Sequence, residues 1–330
     1  MLIAAGAHLT YPHCSGFHGS DRVAVVRYDR DATRIVSVPW RGSGSPEVLH
    51  SLAPQAKPFW FDVSPTNRIG YVSGGALHVG DLGGAVTPVW RHDTMTLDDD
   101  LTGLSADGRR ALVAAHDGPR YAGFEVDVAT GTATTLYEVD WWANHLQYCR
   151  HDERWIGFSH EGPALDVPDR VWSWHGGRIA CVLDQRAVSE DRSRFVAVGH
   201  EVWCRHDAAV LAVAYGDSAA GPRGLWLAYP DGRPARLVSP GNRYWHCDVS
   251  PDGRYAVADT TGPADAPGRG WRNAAGVSDV LLVDLADGST RHLARTTAAN
   301  HPWHPHPVFS PDGSAVLYNH LGRGTVVCPL

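Results

Sequence analysis

Histidine is the side chain that binds transition metals and moves protons near neutral pH, and this chain of 330 residues holds 19 of them, beside 13 tryptophans. The densest group is the segment Asn300-His301-Pro302-Trp303-His304-Pro305-His306-Pro307. In an extended backbone His304 and His306 point to the same side, because strand side chains alternate with period two. The prolines fix the backbone, and His301 can loop back toward the pair. With His246 from the preceding repeat, up to four imidazoles converge on one ion, a set suited to Mn, Fe, Ni or Zn. The bland reading is a run of polar residues in a proline-rich turn; the matched spacing of the other histidines weighs against it.

That spacing comes from a repeat. Ser250-Pro251-Asp252-Gly253 and Ser310-Pro311-Asp312-Gly313 are full copies of one turn, each followed by a short β-rich run, with near copies at Ser105-Ala106-Asp107-Gly108 and Ser64-Pro65-Thr66-Asn67. Weaker copies start at Cys149, at Ser189 and around His18. From Ser64 onward the steps are 41, 44, 40, 61 and 60 residues, near the ~40 to 50 of propeller blades, the longer steps implying inserted loops. A second set of turn residues lies between these, at Asp29-Arg30-Asp31, Gly83-Gly84, Thr130-Gly131, Gly176-Gly177, Asp231-Gly232 and Asp287-Gly288. Two hairpins per unit give four antiparallel strands, and helical periodicity is absent. The expectation is all-β: a seven-bladed β-propeller of one domain over residues 1–330. The chain runs out one strand short after the seventh turn, so the N-terminal segment LIAAGAHLT is expected to complete the last blade and remove its open edge.

On this repeat His145, His246 and His306 sit four residues before their turns, at the start of the inner strand, and His116, His160 and His200 sit eleven after, with His320 ten after, at the end of the next strand. With His301 and His304 these gather nine of the 19 histidines at one mouth. His116 and His320 read as structural.

Composition sets limits. With 43% hydrophobic and 20% charged residues the chain can bury a core. A net charge of -7 with no run of five like charges argues against nucleic acid and a basic membrane face. Met1 to Ala7 lacks a basic flank and no stretch approaches the length of a membrane span, so a cytoplasmic location is expected. Six scattered cysteines form no framework and read as free buried thiols. A Gly-x-Ser-x-Gly elbow, a P-loop and clustered rim carboxylates are all missing, which disfavours propeller-fused peptidase, nucleotide and glycosidase chemistry.

Several stretches then point further: Asn144 to Gln147 (NHLQ), Phe158 to Pro163 (FSHEGP), Asp169 to Trp172 (DRVW), Gly199 to Trp203 (GHEVW), His246 to Gly253 (HCDVSPDG) and His304 to Gly313 (HPHPVFSPDG). In this order they resemble the oligogalacturonate lyase family, well over residues 140 to 320 and weakly over the first 100. The resemblance implies a seven-bladed propeller that binds manganese and cleaves short α-1,4-linked galacturonides by β-elimination. It also implies metal ligands at His246, His304 and His306, a catalytic base at His200 and an arginine near the scissile bond at Arg170. The family's fourth ligand is a glutamine, where this chain has His301; a fourth imidazole moves preference from Mn toward Fe, Ni or Zn.

The chemistry suits these residues. A divalent cation on a uronate carboxylate stabilises the charge that develops as the C5 proton leaves, and a histidine with an ordinary pKa near 6.5 suits general-base work. Glu201 either orients His200 or faces the other side of the strand. His145, Gln147, His160, Trp245 and Trp303 are expected to face an anionic oligosaccharide, with Trp141 and Trp142 flanking them. Two other readings stay open: a lyase for another uronate linkage such as rhamnose-glucuronate, and a non-catalytic TolB-like propeller that binds proteins and no metal.

Overall fold

The computed structural model describes residues 1–55, 58–241, 243–263, 276–299 and 301–330. Asn300, which opens the histidine-proline segment, lies outside the described residues. No helix occurs among the described residues, and none is therefore long and apolar enough to cross a membrane.

Strands succeed one another as seven antiparallel sheets in chain order, the sheet composition of a seven-bladed β-propeller. Within a sheet the first three strands are largely buried, as in Val198–Trp203, Val210–Ala214 and Gly224–Ala228, and the fourth is more exposed, as in Arg178–Cys181 and Thr290–Ala298. Valine, leucine and alanine therefore fill both faces of the inner strands, because each sheet packs on a neighbour. The fifth and sixth sheets share one such layer, built from Leu211, Val213, Leu225 and Leu227 on one side and Val249, Ala256, Ala258 and Val283 on the other.

Serine, aspartate and glycine explain the turns. Ser250 Oγ donates to Asp252 and accepts the Tyr255 N–H at 2.9 Å, while Gly253 turns the chain at φ +71°. Asn67 does the glycine's work at φ +60° in the near copy, as a short polar side chain tolerates that region.

Four expectations change in detail. The N-terminal segment does close the last sheet, but only through Leu2–Ala5, which pairs with Gly324–Pro329 (Leu2 opposite Val326). Gly6 at φ +63° then bends the chain, and Ala7–Leu9 joins the first sheet by pairing with Arg22–Tyr28. The second difference is register. Ser189 opens no hairpin; it lies in the irregular stretch before Val198–Trp203, which is the first strand of the fifth sheet. The turn of that sheet is Cys204-Arg205-His206-Asp207, whose Cys204 N–H donates to Ala209 O at 2.9 Å as Ser250 N–H does to Tyr255 O at 2.8 Å. Cys149-Arg150-His151-Asp152 is its sequence twin. His200 thus sits four residues before its turn, in a first strand, and not at the end of a second. The inter-turn turns hold, except that Asp29-Arg30-Asp31 joins the second and third strands of its sheet, where the other five join third and fourth. All six cysteines are free; Cys181 is exposed and Cys328 half-exposed, so burial applies to the other four.

Contacts divide the chain into two compact units: Met1–Tyr148 with Gly176–Arg178 and Arg323–Val327, and Cys149–His175 with Ile179–Gly322 and Cys328–Leu330.

Candidate metal centre

The second unit holds the histidine-rich site. His246 stands on Tyr244–Val249, whose pairing slips between Tyr244 and Cys247; such an irregularity re-aims the side chains that follow it. His304 and His306 precede the two-residue strand Val308–Phe309. Asn319 fastens this approach, donating from its backbone to Pro305 O at 2.7 Å and from Nδ2 to His304 O at 3.2 Å. His306 is left-handed at φ +45°, a backbone state that costs a non-glycine residue energy and persists where its surroundings enforce it.

One ligand atom from each of His246, His304 and His306 lies within 4.8 Å of the others, and all three residues are buried. The ring centroids of His246 and His306 are 4.3 Å apart, those of His246 and His304 5.1 Å. Burial, then the neighbouring His306 and His304, hold His246 well below the usual histidine range; burial, then His301, takes His304 to about 2. These rings are neutral and keep the lone pairs that metal coordination needs. His304 Nδ1 has no hydrogen-bond partner among the described residues. A buried acceptor in that state ordinarily has a cost, and a ligated ion removes it. The donor set therefore fits a divalent transition metal.

Asp259, on Tyr255–Thr260, was not foreseen. Its fully buried carboxylate accepts the His246 Nδ1–H at 2.9 Å, the His246 backbone N–H at 2.7 Å and the His306 backbone N–H at 3.2 Å. Burial pushes its carboxyl up to about 8, against the pull of those backbone N–H groups. The signal in the sequence was an aspartate inside the apolar run YAVAD, since a buried charge is normally a partnered one.

His200 is next to this set, its ring centroid 5.2 Å from that of His246 and nearly perpendicular to it. Its Nε2 is 3.0 Å from the Cys247 carbonyl oxygen. A carbonyl only accepts, so Nε2 carries the proton and Nδ1 the lone pair. Glu201 faces the other side of the strand: it accepts from Ser159 Oγ and, at 2.9 Å, from Arg170 Nε. Arg170 also spans Glu161 through both terminal nitrogens, at 2.6 and 3.1 Å. Burial opposes its charge, and the two carboxylates more than offset this. His160 Nδ1 meets Asp169 at 2.8 Å. Trp245 lies against His304 at 4.1 Å and His246 at 4.8 Å between centroids, and Trp303 is half-buried in the loop. His301 is exposed and stacks on His304 at 4.0 Å; it is not one of the three residues whose ligand atoms gather.

His145 and Gln147 belong to the first unit. His145, left-handed at φ +56°, packs against His13 at 4.8 Å and Tyr11 at 5.6 Å. Gln147 stands two residues before its turn. At that register Asp62 accepts the backbone N–H groups of Ser15 and Leu104, and Asp248 that of Phe309.

No family model matches the chain. It is 26% identical over 206 residues to an oligogalacturonide lyase of Pectobacterium atrosepticum and 24% identical over 205 residues to an oligogalacturonate lyase of Dickeya dadantii; each match covers 58% of this chain. A solved oligogalacturonate lyase in complex with manganese superposes with a TM-score of 0.78 at 18% identity, covering 98% of this chain and 90% of that one. The chain resembles the oligogalacturonate lyases. The likeness spans about half the length of the curated relatives, while the seven-bladed propeller is common to the solved structure and this chain.

Proposed function

We propose that residues 1–330 act as one propeller domain and form a divalent-metal-dependent lyase that cleaves short uronate oligosaccharides, oligogalacturonides foremost, by β-elimination to a 4,5-unsaturated uronate. The observation that carries this reading is the gathering of three buried imidazoles within 4.8 Å, of which burial keeps His246 and His304 neutral, beside a fourth, His200, whose Nε2–H donates to the Cys247 carbonyl. His246, His304 and His306 would hold the ion, which when bound supplies Lewis-acid stabilisation to the uronate carboxylate. The relative solved with manganese supports that metal; a donor set made of imidazoles alone also suits iron, nickel and zinc, and His301 is the proposed outer donor.

His200 takes the C5 proton at Nδ1. The C5–H electron pair becomes the C4=C5 bond, the C4–O4 bond breaks, and the leaving oxygen takes a proton from solvent water. The Cys247 carbonyl fixes the ring during transfer and accepts from the imidazolium that results. Arg170 is the proposed partner of the leaving oxygen, held in place by Glu161 and Glu201. His160, Trp245 and Trp303 are the proposed substrate-facing residues. Because the likeness to the curated relatives spans half their length, a lyase for another uronate linkage such as rhamnose-glucuronate is the second reading.

Ultraviolet absorbance on mixing protein with digalacturonate tests this, since elimination conjugates C4=C5 to the carboxylate. A rise abolished by chelator is expected. No rise from a metal-loaded protein on any uronate disaccharide would overturn the lyase reading.

A further inference from the structure

The ligands of the site come from two consecutive sheets, His246 from the sixth and His304 and His306 from the loop that enters the seventh. Nothing in the spacing of the sequence explains how their rings come to be aimed at one point. A histidine left to itself can carry its proton on either nitrogen, and a loop can hold a left-handed residue only where something pins it. Both problems meet at one side chain. Asp259 is fully buried in the second strand of the sixth sheet. Its Oδ1 accepts the His246 backbone N–H at 2.7 Å, its carboxylate spans His246 Nδ1 at 2.9 and 3.0 Å, and its Oδ2 accepts the His306 backbone N–H at 3.2 Å.

We propose that Asp259 is the positioning residue of the metal centre: its carboxylate holds His246 in the tautomer that presents Nε2 and ties the left-handed backbone of His306 to the neighbouring sheet. The inference rests on the metal site of the proposed function. A ligand histidine commonly gives its second N–H to a carboxylate, and loss of such a partner weakens metal binding about 10- to 100-fold. Asp259 differs from a simple partner of that kind in serving two ligands at once. Asparagine keeps the shape but replaces one acceptor oxygen with an N–H donor, so it cannot satisfy all three donors. Glutamate keeps the carboxyl group but moves it outward by one methylene in a packed interior.

The test uses the metal alone. Manganese and zinc binding to wild type, Asp259→Asn and Asp259→Glu is measured by calorimetry, with thermal melts to establish folding. A loss of about 10- to 100-fold in Asp259→Asn is expected; a folded Asp259→Asn that binds both metals as wild type does overturns the proposal. Nitrogen-15 NMR of zinc-loaded wild type gives a second reading that needs no variant. His246 is expected to show zinc on Nε2 and a hydrogen-bonded proton on Nδ1, and zinc on Nδ1 overturns the proposal even where the variants fail to fold. Absence of metal binding by wild type would overturn the site and this inference together, whereas unchanged binding in Asp259→Asn removes only the inference.

Discussion

One position of the repeat, four residues before the turn, is filled differently in the two units. In the first unit it holds Cys14, Trp60 and Leu101, which pack as one buried cluster with Tyr11 against it, and finally His145. In the second it holds His200, His246 and His306. The turns that follow this position are similar in both, since those of the second and third sheets close with the same kind of N–H to carbonyl bond as those of the fifth to seventh. The apolar set asks nothing of its neighbours beyond shape. The imidazole set has polar atoms in a dry place, and each ring is supplied with a partner or a reason: Cys247 O for His200, Asp259 for His246 and for the backbone of His306. The same scaffold position therefore serves packing or chemistry according to what surrounds it, and the cost of chemistry is paid in buried carboxylates.

Breaking the second unit's set has the largest expected effect. His304→Ala or His306→Ala should reduce elimination to background, and added manganese should not restore it; steady-state absorbance assays check this. His200→Ala should lower kcat by about 10²- to 10⁴-fold, the usual worth of a general base, while the bound metal is retained, so activity and metal content separate in this variant alone. The smallest effect on turnover is expected from the first unit. Leu101→Ala should cost about 2–5 kcal/mol of stability through the cavity it leaves, measured by denaturant titration, with turnover per folded chain unchanged.

Most of the fold was legible because its signals are local. The Ser-Pro-Asp-Gly turn announces itself by residue type, and its hydrogen bonds at Ser250 and Ser310 are the reason. Where the turn decays to Cys204-Arg205-His206-Asp207, residue type no longer marks it, and the nearby Ser189 took its place in the count; the correct register puts His200 in line with His145, His246 and His306 and strengthens the pattern. His246 and His306 were legible from spacing, because equivalent offsets fall at equivalent places, and His304 from its position two residues before His306. Asp259 was not, because its partners are set by which sheets adjoin and by a left-handed residue 47 positions away. Arg170 was legible as a charge, and its grip by Glu161 and Glu201 was not, since ion pairs between residues 9 and 31 positions apart leave no mark in the sequence.

The central claim is that His246, His304 and His306 form a metal centre. Metal content per chain, measured by inductively coupled plasma mass spectrometry on wild type, His306→Ala and His145→Ala, tests it most directly. The account predicts about one transition-metal ion per chain in wild type and His145→Ala, and loss of that ion in His306→Ala. Equal metal content in all three, or its loss in His145→Ala with retention in His306→Ala, would contradict it.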